Sequence, residues 1–124
     1  MGVDTIGFDK PLQIARYTTV PGASTTINII PIWPVAGWGH IRFVLESDVA
    51  FTFNVFQKQR APSGAAASFN RTHNWAIPAG GANRVATLKA ALVCGEYLRL
   101  QGVFTTAPTR LLVLATLYPR SFSL

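Results

Sequence analysis

The chain has 124 residues, enough for one domain, and it is 49% apolar but only 13% charged. High hydrophobicity with little charge excludes a disordered chain, and a single cysteine excludes a disulfide scaffold. The longest apolar run, residues 111–115, is too short to cross a membrane. The net charge is +6, but the basic residues are scattered and no two are adjacent, which argues against a nucleic-acid-binding stripe.

Apolar and polar residues alternate along most of the chain, as where Phe51, Phe53 and Val55 enclose Thr52 and Asn54. This period of two predicts β-strands, because successive side chains of a strand point to opposite faces of the sheet. Turns rich in proline and glycine separate the runs. The sequence predicts eight strands, near residues 12–19, 24–32, 39–47, 49–58, 68–76, 83–93, 96–105 and 109–118.

Two of these segments allow a second interpretation. Segment 83–93 has the Ala and Leu content of a helix of about three turns. We favour a strand because Val85 and Thr87 are β-branched, a Gly-Gly pair precedes them, and the rest of the chain is all β. Segment 110–118 is apolar on both faces, which predicts either a central strand covered on both sides or a strand whose second face meets a partner.

These patterns predict an all-β protein: a single antiparallel β-sandwich, jelly-roll-like, with about eight strands. No repeat or linker divides the chain, so we expect one domain over residues 1–124 with an N-terminal arm at 1–11 and a C-terminal tail at 119–124. The N-terminus lacks the basic and apolar regions of a secretory signal, which, with one cysteine, favours synthesis in a reducing cytoplasm.

No combination of residues predicts catalysis or a bound cofactor. His40, His73 and Cys94 do not stand at the spacings of metal ligands. Ser68 or Thr72 beside His73 resembles a nucleophile next to a base, but no nucleophile elbow accompanies them. We therefore interpret His73 as a loop or strand-edge residue, and we expect a protein that is not an enzyme and binds no cofactor or metal ion.

Three other reactive side chains have structural interpretations. Glu46 and Asp48 flank a predicted turn, where we expect them to serve solubility rather than acid–base chemistry. Cys94 ends an apolar run, so we expect it to be a small buried hydrophobe.

The three tryptophans, Trp33, Trp38 and Trp75, lie at or near predicted loops rather than in the middle of strands. A tryptophan in a loop can stack on a sugar or a base, close the end of a sandwich, or anchor an interface. Because the charge is scattered, we favour core or interface roles over ligand stacking.

The main functional indication is a shortage of charge. A folded monomer of this mass exposes roughly 6,500 Å², and eleven basic and five acidic side chains must cover it. The two-faced segment 110–118 and Phe56, on the otherwise polar face of its strand, add apolar surface. Soluble monomers avoid large apolar patches, so we hypothesise that this surface is buried against copies of the chain or a larger assembly. Segments 1–10 and 121–124 would then pack on neighbours.

The chain also resembles the small jelly-roll proteins of tailed bacteriophage particles, the decoration or cement proteins that clamp major capsid proteins together. The resemblance lies in the compact all-β length, the Pro-Ala-Gly-Gly turn at 78–81, the strand at 95–101 and the closing strand that ends at 115–120. It covers roughly residues 39–120. It implies a non-enzymatic virion protein, often trimeric, that is made in the host cytoplasm and binds a major capsid protein or another virion protein.

Three alternatives stay open. A carbohydrate-binding module of a phage receptor-binding protein or lectin is supported only by the tryptophans near loops. A nucleic-acid-binding β-barrel is disfavoured by the scattered bases. A coat protein that builds the shell itself is a variant of the virion hypothesis.

The interface candidates are apolar or arginine residues near termini and loops, where interface anchors are common. They are Phe8, Leu12, Trp33, Trp38, Arg60, Arg110, Phe122 and Leu124.

Overall fold

The computed structural model describes residues 10–17, 25–59 and 68–122, which contain eight strands. The strands are β1 (Leu12–Tyr17), β2 (Thr26–Pro34), β3 (His40–Ser47), β4 (Phe51–Lys58), β5 (Asn70–Ile77), β6 (Thr87–Leu92), β7 (Tyr97–Phe104) and β8 (Leu111–Tyr118). All eight predicted strands are confirmed, with boundaries that differ by at most four residues. The long predicted loop at 60–67 lies outside the described residues.

The helical alternative for segment 83–93 is wrong. Residues 81–84 form a turn in which Gly81 (φ 67°) and Arg84 (φ 54°) adopt left-handed backbone conformations. A left-handed Arg is uncommon, and this turn delays the start of the strand to Thr87. β6 then pairs with β3 along its whole length, so tertiary pairing decides between the two conformations.

The strands form two four-stranded antiparallel sheets. Sheet A has the order β1-β8-β3-β6 and sheet B the order β2-β7-β4-β5. Of the strands that follow each other in sequence, only β4 and β5 are neighbours in one sheet, so the other connections cross between the sheets. This is the strand order of a jelly roll, and it confirms the predicted sandwich.

The core lies between the sheets and is built from the inward side of each alternating strand. β8 is a central strand of sheet A, and its inward residues Leu111, Val113, Ala115 and Leu117 are all fully buried. Aromatic rings join the sheets: Phe43 of sheet A packs edge-on against Phe53 of sheet B, with ring centroids 5.1 Å apart.

Trp75 lies within β5, two residues before the end of the strand, and its contacts are those of the favoured core role. Its ring is half-buried and stacks on Phe53 with centroids 6.3 Å apart, while Phe43 packs edge-on at 5.9 Å. Trp75 shares the inward face of β5 with Ile77, so strand alternation directs it to the core.

A buried amide fastens the β6–β7 loop to sheet B. Gln57 Oε1 accepts hydrogen bonds from the backbone N–H groups of Cys94 (2.8 Å) and Gly95 (3.0 Å), and its Nε2 donates to Leu92 O (3.1 Å) and Thr72 Oγ1 (3.4 Å). The backbone of Cys94 is therefore fixed, yet its side chain is exposed, so the prediction of a buried cysteine is wrong.

Candidate interaction surfaces

The outer surface of sheet A is apolar. The register aligns Val44 of β3 with Leu88 of β6 on one side and Leu114 of β8 on the other, which gives an aliphatic row across three strands. Leu88 is 72% exposed and Leu92 is 60% exposed. We call the part of this surface on β3, β6 and β8 the apolar face, and its outward residues are His40, Arg42, Val44, Glu46, Leu88, Ala90, Leu92, Leu112, Leu114, Thr116 and Tyr118.

A shallow groove of about 460 Å³ runs along the apolar face, between β6 and β8. Aliphatic side chains of Val44, Leu88 and Leu114 line it. The lining residues with polar side chains are Gln13, Arg42, Lys89, Thr116 and Tyr118. A surface of this kind on a soluble protein indicates an interaction site rather than an ordinary solvated face.

One end of the apolar face is ordered around the ring of Tyr118. The imidazole of His40 stacks on it with centroids 5.0 Å apart, the guanidinium of Arg42 lies 4.2 Å from its centroid, and Phe122 packs edge-on at 5.6 Å. His40 is buried and accepts a hydrogen bond from Arg42 Nε at 3.0 Å. Burial, and then the charge of Arg42, lower the pKa of His40, so its ring is neutral at pH 7.

The described parts of both terminal segments lie near this end. Phe122 is 39% exposed, and its backbone N–H donates to Pro119 O, which turns the tail back against sheet A. Leu12 pairs with Leu117 and is 43% exposed. These two interface candidates therefore share one end of sheet A. Phe8, Arg60 and Leu124 lie outside the described residues.

The other candidates are separated from one another. Trp33 is partly exposed at the end of β2. Trp38 is buried in the core, so it is not available as a surface anchor. The guanidinium of Arg110 is bound within the chain: it donates to both carboxylate oxygens of Glu46, at 2.9 and 2.8 Å, and to Gly81 O at 3.1 Å.

The ion pair of Glu46 with Arg110, and the hydrogen bonds that Asp48 accepts, correct the interpretation of these two acids as solubilising residues. Glu46 is buried, and the hydrogen bonds from Arg110 lower its pKa. Asp48 accepts hydrogen bonds from the hydroxyl and the backbone N–H of Thr109 and from the backbone N–H of Arg110, which hold its pKa at about 2. Both carboxylates thus anchor the loop that precedes β8.

The outer surface of sheet B differs in chemistry from the apolar face. Its register aligns Asn28, Gln101, Asn54 and Asn74, one from each strand. Asn74 Nδ2 donates to Asn54 Oδ1 (3.0 Å), Asn54 Nδ2 to Gln101 Oε1 (3.4 Å), and Gln101 Nε2 to Asn28 Oδ1 (3.3 Å). A continuous row of amides therefore crosses the whole sheet.

A second row, of cations and aromatic rings, lies beside the amide row. Phe56 of β4 is aligned with Arg99 of β7 on one side and Arg71 of β5 on the other. The guanidinium of Arg99 lies 5.6 Å from the ring centroid of Phe56 and 5.0 Å from that of Phe69. We call the amide row and this row together the basic face.

Lys58 extends the basic face toward the β6–β7 loop. It is aligned with Tyr97, and its ammonium lies 4.8 Å from the ring centroid of Phe69 and 5.6 Å from that of Tyr97. Lys58, Arg71 and Arg99 are far apart in the sequence but close in the sheet, so the argument from scattered bases does not hold for the folded chain. Phe56, singled out as apolar on a polar face, was the one sequence signal for this surface.

Three observations on the described residues concern His73, metal ligands and membrane-spanning helices. His73 lies on edge strand β5, as predicted, where its Nδ1 is 3.0 Å from Thr72 Oγ1, but that hydroxyl donates to Val55 O. Within the described ranges, no three His, Cys, Asp or Glu residues are grouped to hold a metal ion. The same part of the chain contains no helix with the length and apolar character to span a membrane.

Comparisons with known proteins add one distant similarity. No protein-family model and no curated protein matches the chain. A solved structure titled "Structure of infectious bursal disease virus Gx strain" is similar over 99% of this chain, with a TM-score of 0.45 and 12% identity. This chain spans 38% of the length of that chain. A likeness this distant adds nothing to the strand order, which defines the jelly roll by itself.

Proposed function

We propose that the protein is a non-enzymatic structural component of a virion that associates with copies of itself through the apolar face. The observation that carries the proposal is the row of Val44, Leu88 and Leu114, which a folded sandwich leaves unpaired on its outside. A second subunit that covers this row would bury apolar surface at about 25 cal/mol per Å².

The architecture supports this function. Jelly-roll sandwiches are common in viral capsids. Among the described residues, Arg42 and the edge residue Lys89 are the charged groups that line the apolar groove, so a symmetric contact there desolvates little charge. Phe122, whose ring packs edge-on against Tyr118 of the apolar face, adds a contact of the kind that terminal segments make.

Within a virion, we propose a decoration or cement role. A protein of this kind bridges major capsid subunits and forms small closed oligomers, of which a trimer is the form we expect. The net charge of +6 favours an acidic capsid surface as its partner. Binding of carbohydrate is a weaker proposal, because Trp38 is buried in the core and Trp75 packs against it. Trp33 is partly exposed and is the remaining tryptophan that could stack on a sugar.

The test is the solution mass, measured by light scattering after size exclusion at several concentrations. We expect a stable closed oligomer for the wild type and a monomer for Leu88→Glu, which places a carboxylate in the centre of the aliphatic row. Val103→Glu is the matched control, because Val103 is a partly exposed apolar residue on sheet B. A wild-type monomer at all concentrations, or equal effects of the two substitutions, would contradict assembly through the apolar face.

A further inference from the structure

We propose that the basic face of sheet B binds single-stranded nucleic acid. The proposal concerns the sheet opposite the apolar face and does not depend on self-association. It rests on three features of the described residues: the collected cations, the aromatic rings between them, and the adjacent row of amides.

The cations are collected by the sheet register. Arg71 and Arg99 flank Phe56 in one row across three strands, and Lys58 lies two residues further along β4. Residues two apart on a strand share a face and stand about 7 Å from each other. The basic face therefore presents three positive charges on one side of the sheet, which suits a phosphate backbone laid across it.

Few carboxylates oppose these charges. Of the three acids in the described ranges, Glu46 binds Arg110 and Asp48 binds the loop before β8. The third, Glu96, lies next to Tyr97 at the end of the basic face, where its backbone N–H donates to Lys58 O. The basic face keeps a net positive charge even when Glu96 is counted, so it favours an anionic partner.

Aromatic rings beside the cations distinguish the basic face from a site that binds only simple anions. The rings of Phe56, Phe69 and Tyr97 are partly exposed, and they hold the cations of Arg99 and Lys58 at 4.8–5.6 Å from their centroids. A cation held in this way loses less freedom when it pairs with a phosphate. Phenyl rings and guanidinium planes are also the platforms on which unpaired bases stack.

The amide row favours nucleic acid over an acidic protein as the occupant. Asn and Gln side chains offer a donor and an acceptor together, the pattern that base edges match. The amide row lies about 7 Å from the cation row, because Asn54 and Phe56 are two residues apart on β4 and point to the same side of the sheet. A base stacked on Phe56 would place its polar edge toward the amide row, where Gln101 is partly exposed and Asn74 is exposed.

Binding is measured by the fluorescence anisotropy of labelled single-stranded DNA and RNA of about 20 nucleotides. We expect Arg71→Gln/Arg99→Gln to weaken binding about tenfold and to reduce the slope of log K against log salt by about 1.4, since each phosphate contact on a single strand contributes about 0.7. The matched control is Lys10→Gln/Arg120→Gln, which removes two exposed charges near sheet A.

The aromatic contribution is tested by Phe56→Leu, which should weaken binding about tenfold at an unchanged salt slope. Far-UV circular dichroism and urea midpoints confirm that each variant is folded. Equal weakening by the control pair would show diffuse charge attraction and would overturn the proposal. The proposal would also be overturned if polyglutamate or dextran sulfate bound as tightly as the oligonucleotides and Phe56→Leu did not weaken oligonucleotide binding. That result would indicate an anionic partner that lacks bases. Binding of the same oligonucleotides by Leu88→Glu is measured in parallel. Because this proposal does not depend on self-association, that variant should still bind them even if it does not assemble, so failure of one proposal can be told from failure of the other.

Discussion

At the residue scale, His40 shows how burial and a neighbouring cation fix a protonation state. Arg42 Nε donates to His40 Nε2, so that nitrogen must carry a lone pair, and the ring is held flat against Tyr118. The pKa of His40 in the folded chain therefore lies below its ordinary value of 6.5. As the pH falls, the imidazole of the unfolded chain is protonated at a higher pH than that of the folded chain. The contribution of neutral His40 to the free energy of unfolding is therefore complete above about pH 6.5 and decreases as the pH falls below it.

We predict that the urea midpoint of the wild type falls between pH 7.5 and pH 5.5 and that His40→Phe reduces this fall. Phenylalanine keeps an aromatic ring on Tyr118 but cannot titrate. Burial also lowers the pKa of His73, so part of the fall should persist in His40→Phe and disappear in His40→Phe/His73→Asn. An unchanged pH dependence in His40→Phe would show that this imidazole does not control acid stability.

Residue types alone did not reveal which side chains are partners. The sequence places Glu46 and Asp48 beside a turn, the usual position of solvated acids, and so it suggested solubility. Their partners, Arg110 and Thr109, lie more than 60 positions away, and only the pairing of β3 with β8 brings them together. Arg110 was singled out as an interface residue for the same reason, since its carboxylate partner was not visible in the sequence.

At the element scale, the alternation of side chains predicted most of the strands, because it records which residues each strand buries. Segments 83–93 and 110–118 lack clear alternation and were predicted from other features. Alternation does not record which strand lies beside which. The amide row requires four residues from four strands to be in register, and a slip of one residue would turn any of them to the opposite face. The jelly-roll expectation was confirmed, whereas the apolar face and the basic face depend on registers that the pattern leaves open.

Gln57 joins two elements, since it binds the β6–β7 loop from β4. We predict that Gln57→Leu lowers the free energy of unfolding by about 2–3 kcal/mol, because the N–H groups of Cys94 and Gly95 lose their acceptor in a part-buried site. Urea denaturation measures the change.

Gln59 provides the matched control for this substitution. Its Nε2 donates to Cys94 O at 3.0 Å, so it binds the same loop, but from an exposed position. Gln59→Leu should therefore change the free energy of unfolding by less than about 0.5 kcal/mol. Losses of similar size in the two variants would indicate that the loop is held by its backbone hydrogen bonds and not by the buried amide.

At the scale of the whole molecule, the two sheets divide the surface chemistry. The apolar face of sheet A carries aliphatic side chains that water solvates poorly, and the basic face of sheet B carries guanidinium, ammonium and amide groups. One sandwich can then contact other subunits through one sheet and an anionic polymer through the other. Both proposals together describe a subunit that would link protein assembly to nucleic acid.

If both proposals hold, assembly should strengthen binding to long strands. A closed oligomer presents several basic faces, and a strand that reaches two of them binds the second from a high effective concentration. We predict that the wild type binds an oligonucleotide of about 60 nucleotides at least about tenfold more tightly than one of about 10 nucleotides. For monomeric Leu88→Glu we expect only the small increase in affinity that comes from the larger number of binding positions on a longer strand. The same length dependence in wild type and Leu88→Glu would show that one strand does not reach two basic faces.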